Sequence, residues 1–319
     1  MAFSEESFKL TTPSGEAMYG IAHLPERPNG AAVIMFNIGL HYRVCHSRLF
    51  VRQARDLQLA GFSVIRFDPC RVGYSHGEIR VQRAIDSYDS VQTGLFKDDA
   101  RQVIEYARER FKPGKLFLYG LCGGALTATI AAALDKRIDG VAFVAGPVTV
   151  TSPEVELSTL HPFDASVEFR RYQSRLLNPS NWLRALTGRV SYRAFFNTVA
   201  VVIKDRLRRR RETPPDQSTS APAEAEEQKG DLYNRTYHVA FDTLMKTGKQ
   251  VLFLMPELDR ATYDFDRFFS SRYLPNYEAY KHLYTVERVD KANHTFSTPA
   301  SSRQLFDITR EWLTARAAS

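Results

Sequence analysis

One cysteine, one histidine and one of a few carboxylates hold the positions in this chain from which chemistry can be argued. The cysteine is Cys122, in Lys115–Ala125, KLFLYGLCGGA, where an apolar run meets Gly120-Leu121-Cys122-Gly123-Gly124. The pattern predicts a strand, a sharp turn and a helix, with the spacing G-x-nucleophile-x-G and cysteine at the tip. Gly120 and Gly124 carry no Cβ, so strand and helix can pass close together. A side chain at 122 then stands at a helix N-terminus, where the dipole and free N–H groups favour a thiolate. The acid and the histidine follow later strands in the order nucleophile, acid, histidine. Pro256-Glu257-Leu258-Asp259 comes after the apolar run Gln250–Met255, and Asp290-Lys-Ala-Asn-His294 after Leu283–Val289. Asp259 fits the usual offset past a strand better than Glu257, with Asp290 a third candidate. Such a trio performs nucleophilic attack on an acyl carbonyl. Each residue also has an ordinary alternative: a small core cysteine, a surface histidine, a solvated acid.

These residues need a sheet to hold them. Phe8–Thr12 and Ala17–Leu24 flank Thr12-Pro-Ser-Gly-Glu and predict a hairpin. Ala31–Phe36, Phe62–Phe67, Leu116–Tyr119, Gly140–Ala145, Gln250–Met255 and Leu283–Val289 are the apolar runs expected of strands buried on both faces. Between them lie helical patterns: one capped by Ser47 and running to Leu59, Lys97–Phe111, the helix after Cys122 to Leu134, and Ser302–Ala315. Alternating strands and helices predict an α/β protein with a mostly parallel, doubly wound sheet. The acid and the histidine then sit at C-terminal strand ends, where such sheets bind ligands.

The alternation stops between Thr151 and Lys246. Residues 151–246 are read as an inserted helical cap between core segments 1–150 and 247–319. Thr213–Gly230, TPPDQSTSAPAEAEEQKG, has no aromatic residue and no aliphatic side chain larger than alanine, and is expected to be a disordered linker. The net charge of +7 is concentrated here: Arg170–Arg211 carries twelve Lys/Arg and one acid, Asp205. This basic stretch is either a solvated face, a dock for an acidic acyl carrier protein or a phosphate-bearing coenzyme, or a contact for an anionic membrane surface. Arg206–Arg211 is too short a run, with no binding module around it, to indicate nucleic acid.

At this point the chain resembles the α/β-hydrolase superfamily, over about residues 8–150 and 247–317. Asp68-Pro-Cys-Arg-Val-Gly-Tyr-Ser75 is similar to the superfamily's D-x-x-G-x-G-x-S turn, with Arg71 in place of the first glycine. Phe36-Asn37-Ile38-Gly39 is similar to its oxyanion loop, with Asn37 where histidine is common. The resemblance implies that Cys122 attacks, that His294 pairs with it, and that Asp259 orients His294. It also implies that the Gly123 N–H and an amide at Ile38 or Gly39 hold the oxyanion. Cysteine at the elbow is like dienelactone hydrolases and some thioesterases and acyltransferases of the fold, and departs from the majority serine. The expected activity is therefore acyl hydrolysis or transfer from an ester or thioester. A dienelactone-type lactone hydrolase and a non-catalytic scaffold of the same fold are the alternatives.

Arg43, His46 and Arg71 lie in loops near the same sheet edge and are candidate contacts for an anionic substrate group, or solvated surface residues. No metal or organic cofactor is expected, since there is no ligand cluster and no phosphate-cradling glycine loop. Three cysteines, Cys45, Cys70 and Cys122, are too few for a disulfide framework or a zinc site. A reducing, cytoplasmic setting is expected, with peripheral membrane contact open. The N-terminus lacks a signal-peptide pattern, and no apolar run approaches the ~18 residues of a membrane span. The tripeptides Asn234-Arg-Thr and Asn293-His-Thr match a glycosylation pattern but carry no weight without a secretory signal.

Overall fold

The computed structural model describes residues 3–78, 90–150 and 233–318. The chain divides into one unit made of Met1–Thr151 with Leu232–Ser319 and another made of Ser152–Asp231. The second unit lies outside the described residues. With it go the expected cap helices, the linker at 213–230 and the basic stretch at 170–211.

The first unit is built on eight strands: β1 (Ser4–Thr11), β2 (Ala17–Leu24), β3 (Ala31–Phe36), β4 (Ser63–Asp68), β5 (Lys115–Leu121), β6 (Gly140–Val144), β7 (Gln250–Pro256) and β8 (Tyr284–Val289). They form one sheet in the order β1-β2-β4-β3-β5-β6-β7-β8. β1 and β2 run antiparallel at one edge, and the six strands from β4 to β8 are mutually parallel. Every residue of β3 and β6 is buried, as a sheet covered on both faces requires.

Alternation along each strand sorts side chains between two cores. Ala32, Ile34 and Phe36 join the core under α2 (Lys97–Phe111), α3 (Gly123–Leu134) and α4 (Arg235–Lys246). Ala31, Val33 and Met35 join the core under α1 (Leu49–Leu59) and α6 (Pro299–Ala317). The first core is rich in rings: Phe143 lies 5.2 Å from Tyr237 and 5.5 Å from Phe253, centroid to centroid. Each such buried ring contributes roughly 2–3 kcal/mol of transfer free energy.

Three readings of the sequence change. Residues 233–246, assigned to the insertion, belong to the sheet unit. Asn234 caps α4 by accepting from the Tyr237 N–H at 2.9 Å, and the apolar face Tyr237, Phe241, Leu244 and Met245 packs into the core. Ser47 does not cap α1. It has φ 49° inside a short 3-10 turn (His46–Arg48), and the left-handed Arg48 precedes the helix without a side-chain cap. Between β7 and β8 the chain forms α5 (Arg260–Asp264), a π-helical turn (Phe265–Ser270) and a 3-10 segment (Leu274–Leu283), none of which the hydrophobic period announced. No described helix is long and apolar enough to cross a membrane.

A buried polar chain ties the antiparallel edge to the sheet. Arg66, on β4, donates from Nε to His23 Nε2 at 2.9 Å and from Nη1 to the Arg43 carbonyl at 3.0 Å. His23, on β2, accepts with that nitrogen and therefore holds its proton on Nδ1, which lies 3.5 Å from Glu5 Oε1. Burial, and then the Arg66 charge, push the His23 pKa down to about 4 from 6.5. A depressed histidine contributes stability that is complete above its unfolded pKa and is lost as pH falls through the folded one. We therefore predict that unfolding free energy falls by about 2–3 kcal/mol between neutral pH and pH ~4 through this residue. His23→Gln keeps an acceptor for Arg66 and removes the titration, so urea unfolding of this variant should show a shallower acid slope. Identical slopes in the two proteins would refute the assignment.

Candidate active site

The strand β5 ends at Leu121, and Cys122 is the residue on which the chain reverses into α3. Its backbone sits at φ 56°, ψ −123°, a region L-residues rarely occupy. Crowding enforces that conformation. A Cβ on Gly120 would lie 2.2 Å from the Gly124 carbonyl oxygen, and one on Gly124 would lie 2.3 Å from the carbonyl oxygens of Phe36 and Asn37. Helix α3 therefore touches the ends of β5 and β3 backbone to backbone. The Cys122 N–H is held by the Val144 carbonyl of β6 at 2.9 Å, and the half-buried side chain packs against the α1–α6 core.

The expected oxyanion loop meets the elbow directly. The point where a Gly123 Cβ would sit is 3.1 Å from Gly39 Cα and 3.2 Å from Gly39 N. Gly39 has φ 49° and follows the buried Ile38, whose carbonyl accepts from the His41 N–H at 2.8 Å. The Gly123 N–H opens α3 and has no intrahelical acceptor. Val91 Cγ1, 2.9 Å from the same virtual Cβ, closes the other side. Val91 follows no motif, and nothing in the sequence singled it out.

The acid and the histidine come together at the ends of β7 and β8. Asp259 Oδ2 lies 2.7 Å from His294 Nδ1, and Asp259 Oδ1 accepts from the Ala261 N–H at the start of α5. The two loops are laced to one another: Glu257 N–H donates to the Val289 carbonyl at 3.0 Å and Leu258 N–H to the Ala292 carbonyl at 2.8 Å. Glu257 spends its carboxylate on the Lys291 N–H at 2.8 Å, so of the two acids only Asp259 faces the imidazole. Asp290 makes no contact with His294 among the described residues. Cys122 is close enough to His294 to act on its titration. Burial works to lower its pKa, but the Asp259 and Cys122 partners outweigh burial and hold it up at about 10.

The other two cysteines differ from Cys122 in their surroundings. Cys45 and Cys70 are buried, and burial pushes both thiols up to about 12. Cys45 belongs to the core cluster against which Cys122 packs.

The three candidate anion contacts have different placements. The Arg43 guanidinium is engaged on Asp68 and lies over the Tyr74 ring, 5.0 Å from its centroid. It anchors its own loop. Asp68 is fully buried and also accepts from the Arg43 N–H at 2.6 Å, Asn37 Nδ2 at 3.3 Å and the Tyr74 N–H at 3.2 Å. Gly73 is required in this turn, since a Cβ there would stand 2.5 Å from Asp68 Oδ2. Arg71 is exposed at φ 71°, its N–H on the His76 carbonyl, with no described contact to Cys122 or His294. His46 is exposed, with its ring 4.5 Å from that of His41.

Comparison with known proteins follows this geometry. Residues 32–297 match the sequence profile of a family described as alpha/beta hydrolase fold. A search of curated proteins found no match. Among solved structures, an esterase of Pyrococcus furiosus is similar at 13% identity and TM-score 0.57, covering 99% of this chain and 92% of its own. The α/β hydrolase GrgF from Penicillium sp. sh18 is similar at 16% identity and TM-score 0.56, covering 99% and 100%. Est1E from Butyrivibrio proteoclasticus, solved with ferulic acid, is similar at 13% identity and TM-score 0.53, covering 98% and 100%. At these identities the structures speak for the fold alone. With a profile match across most of its length and a sheet order and elbow to suit it, the chain belongs to the alpha/beta hydrolase fold family.

Proposed function

We propose that this protein cleaves or transfers an acyl group from an ester or thioester through a covalent acyl-cysteine at Cys122. The observation that carries the reading is the Asp259–His294 hydrogen bond beside Cys122 at the elbow, whose following residue Gly123 packs on the Gly39 backbone.

Each group has a task set by its position. Cys122 attacks the carbonyl carbon as a thiolate, and the carbonyl π electrons move onto oxygen. The amides at Gly123 and the Ile38–Gly39 turn stabilise that oxyanion, a contribution typically worth about 3–4 kcal/mol per donor. Collapse expels the alkoxide or thiolate leaving group, which takes the His294 proton. The neutral imidazole then accepts a proton from the incoming water, alcohol, amine or thiol as it attacks the thioester, and Cys122 departs as thiolate. Asp259 fixes the tautomer and stabilises the imidazolium in both halves. A thioester intermediate is open to amines and thiols as well as water, so the chemistry of the elbow admits transfer beside hydrolysis.

Three outcomes test this. Incubation with a nitrophenyl ester should give a mass increase equal to the acyl group on wild type and none on Cys122→Ala. An adduct on the alanine variant would sink the proposal. Iodoacetamide at neutral pH should label Cys122 well before Cys45 and Cys70, whose thiols are buried and pushed up to about 12. Peptide mapping that finds either of those labelled first would contradict the elbow assignment. Asp259→Asn should lower kcat by about two to four orders of magnitude. Glu257→Gln, which loses only a bond to the Lys291 amide, should stay within about tenfold of wild type. The reverse ranking in folded variants would move the acid to Glu257.

A further inference from the structure

The segment Ile38–Arg48, sequence IGLHYRVCHSR, starts at the oxyanion amide and returns to the nucleophile. Gly39 lies against Gly123 at one end, and Cys45 at the other belongs to the core cluster against which Cys122 packs. The segment is therefore a wall of the site. It contains His41, Arg43, His46 and Arg48 and no acid. Arg43 is withdrawn from that wall by its bond to the buried Asp68. The other three are not: among the described residues no carboxylate pairs with His41, His46 or Arg48, while His46 and Arg48 are exposed and His41 is exposed beside them.

The backbone under these side chains is strained. Cys45, Ser47 and Arg48 have φ 63°, 49° and 58°, left-handed values that non-glycine residues adopt at a cost of order 1–3 kcal/mol each. Asp68 holds the segment from its middle, through both the Arg43 amide and its guanidinium. The result aims the imidazoles of His41 and His46 at each other, ring centroids 4.5 Å apart and tilted by 61°. Desolvation of the ring and the neighbouring His46 both lower the His41 pKa.

We propose that His41, His46 and Arg48 form a subsite for an anionic group, a carboxylate or a phosphate, carried by the acyl substrate. The inference rests on the acyl-cysteine reading and specifies its substrate class. Arg48 supplies a permanent positive charge and a planar donor fork. The two imidazoles supply N–H donors, and a second proton on the pair becomes favourable when the anion is bound. The strained turn holds the His41 and His46 rings together on the segment that begins at Gly39, with Arg48 exposed at its far end.

The test is the ratio of kcat/KM for an anionic ester to that for a neutral one of similar size. Nitrophenyl hydrogen succinate against nitrophenyl butanoate places the charge on the acyl side. Acetoxybenzoate against phenyl acetate places it on the leaving-group side. Wild type should prefer the anionic member of at least one pair, mainly through KM. The variant His41→Gln/His46→Gln/Arg48→Gln should lose about tenfold of that preference, as expected for charge-assisted hydrogen bonds. Arg48→Glu should reverse the preference, and Arg48→Lys should keep most of it. Circular dichroism and urea unfolding establish that each variant is folded.

A measurement independent of turnover accompanies this one. The rate of Cys122 alkylation by iodoacetate, relative to neutral iodoacetamide, should be higher in wild type than in the triple variant. Unchanged ratios in both assays overturn the subsite. Absence of any acyl adduct at Cys122, with alkylation still charge-selective, overturns the catalytic reading and leaves the subsite standing.

Discussion

Backbone-to-backbone contact at Gly120 and Gly124 is the constraint on which this site depends. With carbonyl oxygens only 2.2–2.3 Å from where a Cβ would be, no side chain larger than hydrogen fits at either position. That closeness brings α3 onto the ends of β3 and β5 together. It forces Cys122 into its left-handed conformation and lays the α3 N-terminus against the Phe36–Gly39 segment. Cys122, the Gly123 and Gly39 backbone and the helix N-terminus are therefore positioned by one packing event. An alanine at either glycine must move a main chain, and there is no flexible side chain nearby to give way.

Asp68 plays the matching part for the loop opposite. A carboxylate with no exposure is tolerable only where its oxygens are well supplied with donors, and this one takes four, from Asn37, both ends of Arg43, and Tyr74. Removing one member of such a pair leaves a buried charge and typically costs about 3–5 kcal/mol. The network continues through the Arg43 carbonyl to Arg66 and on to His23 of β2, whose Nδ1 lies 3.5 Å from Glu5 of β1.

The parts of this structure legible in the sequence are those dictated by local rules. Ala31–Phe36 reads to the residue because a strand buried on both faces has no polar position to blur its ends. Lys97–Phe111 reads equally well, since its stripe Ala100, Val103, Ile104 and Ala107 has helical spacing. Cys122, Asp259 and His294 stand out because strand, turn and chain order agree. What did not read depends on contacts between distant residues. Arg43 looks like a free cation in sequence, and only the fold pairs it with Asp68, 25 positions away. Glu257 and Asp259 are separated by a single residue, and which one meets the histidine depends on how the two loops lace together. Ser47 has the composition of a helix cap, yet the turn demanded by the oxyanion wall overrides it. The breaks after Asp259 are π and 3-10 turns, whose shifted hydrogen-bond period leaves no clean hydrophobic stripe.

The bridge between Thr149 and Tyr233 has a kinetic meaning. Strands β1–β6, with the elbow and the oxyanion loop, are contiguous in the chain. Strands β7 and β8, with the acid and the histidine, follow an intervening stretch of some eighty residues, after Tyr233 has paired with Thr149. The bridge is secured by the Asn234 N–H on the Val148 carbonyl and by Tyr233 stacking on Tyr273, 4.6 Å between centroids. On a ribosome, the half that carries Cys122 emerges first and can pack its own sheet. Cys122, in that half, has no His294 beside it until β7 and β8 join the sheet, so on the proposed reading reactivity is acquired in the last step of assembly.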